Sequence, residues 1–205
     1  MVRRFAHAAF VLLILAASSG SMLAQEMRDR MLVALSDYAP IQVPVEITSI
    51  KLNGKELRAG ETVKGDDDWL RGVSFTVKNI SDKPLAYVGI GLRFPIQNGI
   101  VVYGGLNYGV NYAHGLSRTE SSPPAIRPGE SFDLVLTNRR YESFLYVLAQ
   151  GKPTSLDVAT YYVMTVCFEN EPDVIWEGGF LKKRDPHQFS QFNIVERYVL
   201  PNKPE

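Results

Sequence analysis

The stretch that decides the fold is VSFTVKNISDKPLAYVGIGLRF, residues 73–94. In its first half Val73, Phe75 and Val77 alternate with polar residues, and this period of two predicts a strand with one buried and one solvated face. Residues 79–84, NISDKP, form a turn, because Asn, Ser and Asp can bond to their own backbone and proline fixes φ. The second half alternates again. Two alternating strands joined by a short polar turn predict an antiparallel hairpin.

Strand and turn patterns continue on both sides of this hairpin. Residues 45–53, VEITSIKLN, run into Asn53-Gly54, a pair that favours a tight hairpin turn because both residues accept positive φ. Residues 131–137 alternate after a Pro-Gly turn, and residues 158–169 are apolar on both faces, as a central strand is. The sequence therefore predicts a mainly β fold, an antiparallel β-sandwich of roughly seven strands.

One short α-helix is predicted between the late strands, at residues 138–151. Its apolar residues recur at helical spacing and share one face, namely Tyr141, Phe144, Leu145 and Leu148. Asn138 is expected to cap the start of this helix and Gly151 to end it. The apolar face then has to cover an end or an edge of the sheet.

The run FTVKNISDKPLAYVGIGLRFP, followed later by IRPGESFDLVLT, resembles immunoglobulin-like and fibronectin-type-III-like modules of exported bacterial proteins. The resemblance covers about residues 45–180 and implies an immunoglobulin-like β-sandwich. The chain departs from that pattern in its helix, in the long segment 97–128 and in its cysteines, since Cys167 has no partner for the immunoglobulin disulfide. Such modules serve adhesion, spacing, chaperoning and carbohydrate binding, so the resemblance selects no single function.

The first residues have the order of a secretory signal peptide. Arg3 and Arg4 precede an apolar run and then small residues, with cleavage expected near Ala24. The run is shorter than the about 20 residues of a transmembrane helix, so we expect a secreted or periplasmic protein without a transmembrane segment after cleavage. The expected organisation is a signal peptide at 1–24, an N-terminal extension at 25–42 with one or two helical turns, the sandwich at 43–200 and a tail at 201–205.

The charge balance argues against nucleic acid as a partner. The chain has 22 basic and 22 acidic residues, and loss of Arg3 and Arg4 with the signal peptide would leave a small acidic excess. A nucleic-acid-binding surface needs a basic excess or a basic cluster. The expected partner is an unidentified protein or a polysaccharide, and no cofactor is expected.

The acidic stretch KGDDDWLRG, residues 64–72, is interpreted as architecture. It lacks the alternating spacing and the trailing glutamate of a calcium loop, and adjacent carboxylates share one environment, which suits acid/base catalysis poorly. We expect a solvated turn from which Trp69 packs into the sandwich. The aromatic residues expected in the core are Trp69, Trp176, Phe75 and Phe94, and neither a metal site nor a catalytic residue is predicted.

The best candidate for binding is the segment YGGLNYGVNYAHG. Residues 97–128 are predicted to form a long loop with a short strand at 100–103. Rigid tyrosines among Asn and Gly are typical of binding loops, and the candidate ligand-binding residues are Tyr103, Tyr108, Tyr112 and His114. The sequence thus predicts a secreted, non-enzymatic binding or structural protein. The alternative is a carbohydrate-active hydrolase or a carbohydrate-binding protein that uses the 97–128 loop, the hydrolase with His114 and Asp66, Asp68 or Glu120.

Overall fold

The computed structural model describes residues 27–35, 42–188 and 190–200. Strands dominate and form two sheets, with one α-helix, α1, from Asn138 to Gly151 and a 3-10 helix from Tyr112 to His114. The strands are β1 Arg28–Ala34, β2 Val45–Leu52, β3 Lys55–Glu56, β4 Thr62–Gly65, β5 Ser74–Asn79, β6 Leu85–Ile96, β7 Gly99–Gly109, β8 Ser131–Val135, β9 Val158–Phe168, β10 Glu171–Glu177, β11 Phe180–Arg184 and β12 Phe192–Arg197. The prediction of a mainly β sandwich with one short helix is confirmed. The expected signal peptide, its cleavage near Ala24 and the 201–205 tail lie outside the described residues.

The smaller sheet has the order β3-β2-β5-β8 and is antiparallel throughout. The β2–β3 hairpin turns at Asn53 and Gly54, with φ of 51° and 77°, as the sequence predicts. The hairpin predicted for β5 and β6 is wrong, since β5 pairs with β2 and β8 while β6 pairs with β7 and β9 in the larger sheet. The NISDKP turn therefore connects the layers.

The larger sheet is built around β9, as its doubly apolar pattern indicates. The strand β6 runs along one edge of β9 and carries β7 on its far side. The other edge of β9 is shared, because β1 pairs with its first part and β10 with its last part. Outside these lie β4 next to β1, and β11 and β12 next to β10.

The helical turns expected in the N-terminal extension are a wrong prediction, because residues 28–34 form the strand β1 inside the larger sheet. This strand is antiparallel to β4 and parallel to β9, so the larger sheet is mixed rather than purely antiparallel. Its sequence, RDRMLVA, mixes charged and apolar residues at no clear period. The neighbouring strands supply its hydrogen bonds, and tertiary pairing of this kind overrides weak local propensity.

The long loop predicted for 97–128 is also wrong in its first part, because β7 continues from Gly99 to Gly109. The strand pairs with β6 along almost its whole length. Its glycines hide the alternation in the sequence, yet they fit the close packing: a Cβ on Gly105 would lie 2.1 Å from the Tyr103 hydroxyl oxygen. The glycines therefore mark tight packing here rather than a loop.

The core lies between the two sheets and under the helix. The aromatic residues expected there are 0–4 % exposed, namely Trp69, Trp176, Phe75 and Phe94. The helix α1 buries Tyr141, Phe144 and Leu148 and leaves Leu145 39 % exposed. Its cap is Thr137, one residue before the predicted Asn138, since the Thr137 hydroxyl accepts from the Arg140 N–H.

Two further features complete the architecture. Gly178 and Gly179, with φ of 60° and 90°, form the two-residue turn between β10 and β11. In the part of the chain that the structure describes, no helix combines the length and the apolar character needed to cross a bilayer.

Candidate functional site

The tyrosines expected to form a binding loop have separate surroundings. Tyr103 is 4 % exposed, donates its hydroxyl to the Arg140 carbonyl at 2.8 Å and packs edge-on against Phe144. Tyr108 is half-buried, and its ring centroid lies 5.0 Å from that of Phe132. These two side chains anchor β7 to the helix and to the smaller sheet. They are not presented as a flat aromatic surface for a sugar.

Tyr112 belongs to a small buried polar cluster at the 3-10 helix. It is 6 % exposed, and burial raises the pKa of its phenol, so the hydroxyl is a donor at neutral pH. That hydroxyl lies 3.4 Å from the Glu169 carboxylate, which also accepts from Arg118 at 2.6 Å. The backbone carbonyl of Tyr112 accepts from the buried Arg184. The cluster ties the 3-10 helix to the end of β9 and to β11.

His114 ends the 3-10 helix and is exposed. No hydrogen bond among the described residues joins it to Asp66, Asp68 or the exposed Glu120, the acids of the hydrolase alternative. Burial raises the pKa of the Cys167 thiol, whose Sγ lies 3.7 Å from the amide oxygen of Asn111. A buried, protonated thiol is a weak nucleophile.

The three aspartates of KGDDDWLRG bond in three directions. Asp66 accepts from the backbone N–H of Asp68 at 2.8 Å and shapes the turn. Asp67 forms an ion pair of 2.6 Å with the buried Arg30. Asp68 accepts from the Tyr141 hydroxyl at 2.9 Å. Each carboxylate therefore holds a different part of the fold together, as the architectural interpretation expects.

A gap in the larger sheet is the feature that creates a binding space. On one edge of β9, pairing with β1 ends at Tyr161 and pairing with β10 begins at Thr165. The last hydrogen bond before the gap runs from the Leu35 N–H to the Tyr161 carbonyl at 2.9 Å. Between Tyr161 and Thr165, neither β1 nor β10 pairs with β9 on this edge. Side chains from both faces of β9 therefore line one space, Tyr161 and Val163 from one face and Tyr162 and Met164 from the other.

A cavity of about 670 Å³ occupies this gap and continues between the two sheets. This volume lies within the range of ordinary small-molecule sites, about 300–1,000 Å³. Its walls are mainly apolar, and the residues that line its interior include Val43, Val45, Ile47, Tyr161, Val163 and Trp176. The exposed Ile100 also lines it, so the cavity reaches the surface.

The walls are held in place by the core behind them. Trp176 is 2 % exposed and donates its indole N–H to the Gln42 carbonyl at 3.1 Å. The Tyr161 ring packs against Phe75 with 5.4 Å between centroids, and burial raises the pKa of its phenol. Side chains fixed in this way form a cavity before any ligand arrives, which lowers the entropic cost of binding.

On the outer side of the gap, the residue of β6 next to Tyr162 and Met164 is a glycine, Gly91. A Cβ on Gly91 would lie 2.8 Å from both the Met164 sulfur and the Tyr162 ring. Those two side chains, with Arg93, line the outer part of the cavity. Gly91 of the GIG sequence thus lets Tyr162 and Met164 lie close to the backbone of β6, which is the close approach expected of glycine inside a strand.

Sequence reasoning missed this site because no motif carries it. Its residues come from β1, β2, β6, β7, β9 and β10 and from the segments next to them, and the space lies where β1 and β10 stop short of each other on the same edge. The one available signal is β9 itself, whose two apolar faces imply contacts on both sides. No protein-family model, curated protein or solved structure matches the chain.

Proposed function

We propose that the protein is an exported, non-enzymatic binding protein that holds an elongated, largely apolar small molecule in the cavity between its sheets. The observation that carries this proposal is the mainly apolar cavity of about 670 Å³, which lies where β1 and β10 stop short of each other along β9 and which the exposed Ile100 also lines. Small-molecule sites are commonly mainly apolar cavities of this size, about 300–1,000 Å³.

Export is supported by the signal-peptide pattern around Arg3, Arg4 and Ala24. Binding without catalysis is supported by the walls themselves, which are aliphatic and aromatic side chains with few titratable groups. Burial of apolar ligand surface then supplies the binding energy, about 25 cal/mol per Å² removed from water.

The test uses the purified chain and the neutral fluorescent probe N-phenyl-1-naphthylamine. We expect saturable binding with a fluorescence increase, since the probe is apolar and of a size that the cavity holds. Val43→Trp fills the cavity from a half-buried position outside any strand, and should abolish the signal. Ile47→Trp, also half-buried and lining the cavity, is the second filling variant.

Val135→Trp is the matched control. Val135 lies on β8, is 38 % exposed and does not line the cavity, so this variant should bind the probe as the parent does. Circular dichroism establishes that each variant is folded. Absence of saturable binding by the parent chain, or full binding by both folded filling variants, would refute the proposed function.

A further inference from the structure

Two charged residues line the cavity, Glu177 and Arg93, and only Glu177 forms an ion pair with a residue that the structure describes. Glu177 is bound by Lys182, with 2.5 Å between the carboxylate and the Nζ, so this acid is neutralised within its own hairpin. Arg93 forms no ion pair with any residue that the structure describes. Its guanidinium carbon lies 5.7 Å from the centroid of the Tyr162 ring, a cation–π contact that leaves the N–H donors available.

Arg93 is half-buried beside apolar walls, and these surroundings affect how strongly its guanidinium attracts an anion. A guanidinium next to low-dielectric surface attracts an anion more strongly than one in bulk water. Its planar set of N–H donors also matches the two oxygens of a carboxylate, which it binds through two parallel hydrogen bonds. Packing on Tyr162 limits the orientations of the side chain and lowers the entropy lost on binding.

The arrangement therefore has two parts. An apolar interior runs between the sheets along Val45 and Val163, and a cation with free donors stands on the outer part of the same cavity. We infer that the ligand is an anionic amphiphile, a single apolar chain with a carboxylate head, whose chain occupies the interior and whose head binds Arg93. This inference rests on the proposed function, because it names the ligand class of the same cavity.

The experiment compares three molecules with the same apolar chain and different heads, namely dodecanoate, dodecanol and dodecylammonium. Each displaces N-phenyl-1-naphthylamine from the parent protein at neutral pH, below its micellar concentration. We expect dodecanoate to bind about tenfold or more tightly than dodecanol, the value of a charge-assisted hydrogen-bonded pair. Dodecylammonium is expected to bind more weakly than dodecanol, because like charges repel.

Arg93→Gln removes the charge and should abolish the preference for dodecanoate over dodecanol. Arg93→Lys retains the charge without the planar donor set, and should keep part of the preference. The control is Arg139→Gln, an exposed arginine on α1 away from the cavity, which should leave the preference intact.

The outcomes separate the two claims. If the parent binds neither the neutral probe nor dodecanol, the proposed function itself fails. If the probe binds but dodecanoate and dodecanol displace it equally, the cavity stands and the anionic head is refuted. If the preference for dodecanoate over dodecanol survives in folded Arg93→Gln, binding of the head by Arg93 is also refuted.

Discussion

The guanidinium of Arg30, 1 % exposed, bonds to the carboxylate of Asp157 with 2.6 Å between Nη1 and Oδ1. Its Nη2 bonds to Asp67 at 2.6 Å and its Nε to the Gly65 carbonyl at 3.2 Å. One buried side chain therefore joins β1 to the end of β4, to the acidic turn and to the residue that precedes β9.

Asp157→Asn should destabilise the protein, because it leaves the buried charge of Arg30 with one carboxylate. We expect a loss of about 2 kcal/mol in the free energy of unfolding, less than for a fully buried pair since the Asp157 side chain is 43 % exposed. Urea denaturation measures it. The control is Asp29→Asn, whose pair with Lys64 is exposed on both sides and should contribute less than about 1 kcal/mol. Equal losses in the two variants would contradict this role of Arg30.

Trp69 is expected to be a core residue with a polar anchor. It is 4 % exposed, and its indole N–H donates to the Leu156 carbonyl at 2.9 Å. Trp69→Ala should cost about 3–5 kcal/mol through lost burial and a residual void. Trp69→Phe keeps most of the apolar contact and should cost about 1–2 kcal/mol for the lost hydrogen bond. A negligible loss in the alanine variant, measured by chemical denaturation, would show that the ring contributes little to the core.

The free energy of unfolding should fall at alkaline pH because the buried Tyr198 resists ionisation in the folded protein. Burial, with a smaller contribution from Asp82, raises the pKa of Tyr198 to about 12, whereas an unfolded tyrosine titrates near 10. The contribution is fully present below about pH 10, and is lost as the pH rises through the folded pKa because the unfolded chain releases its proton first. Unfolding free energies at pH 8, 10 and 11 should therefore fall less in Tyr198→Phe than in the parent.

At neutral pH the same variant separates two kinds of buried hydroxyl. The Tyr198 hydroxyl has no hydrogen-bond partner among the described residues, so Tyr198→Phe should be neutral or slightly stabilising. Tyr141→Phe removes the bond to Asp68 and should cost about 1 kcal/mol. A larger loss in Tyr198→Phe than in Tyr141→Phe would contradict the assigned contacts.

Gly109 should tolerate no side chain. Its φ is +87°, and a Cβ there would lie 1.9 Å from the Ala86 carbonyl oxygen, which is backbone and cannot rotate away. Gly109→Ala is expected to cost more than about 2 kcal/mol through strain and overlap. The control, Gly129→Ala, has a similar φ of +82° but open space around it, and should cost about 1 kcal/mol. Thermal unfolding compares them, and equal shifts would show that the contact with Ala86 relaxes at no cost.

The sequence predicts those parts of the fold in which each strand carries its own pattern. The alternation of β5 and β6, the Asn53-Gly54 turn and the apolar face of α1 all depend on neighbouring residues in the chain. The strand β1 has no such pattern. Its Arg30 is buried because it pairs with Asp67 and Asp157, which are distant in sequence. The residues of β1 alone therefore do not predict these two partners.

The candidate site depends even less on local pattern. Tyrosine, glycine and asparagine in β7 have the composition of a binding loop, yet pairing with β6 makes most of that segment a strand and buries Tyr103. The cavity arises from where β1 and β10 end along β9, a relation between three distant segments. No one of the three segments carries that relation in its own sequence.

The parallel pairing of β1 with β9 also bears on how the chain reaches its native state. Arg30 and Asp157 are 127 residues apart, so the N-terminal strand finds its place after most of the chain is available. Contacts between such distant segments slow folding, because a long loop must close before they contribute. The larger sheet therefore cannot be completed before β9 is available. Pairing of β1 with β9 then places the end of β1 opposite the end of β10 across the gap.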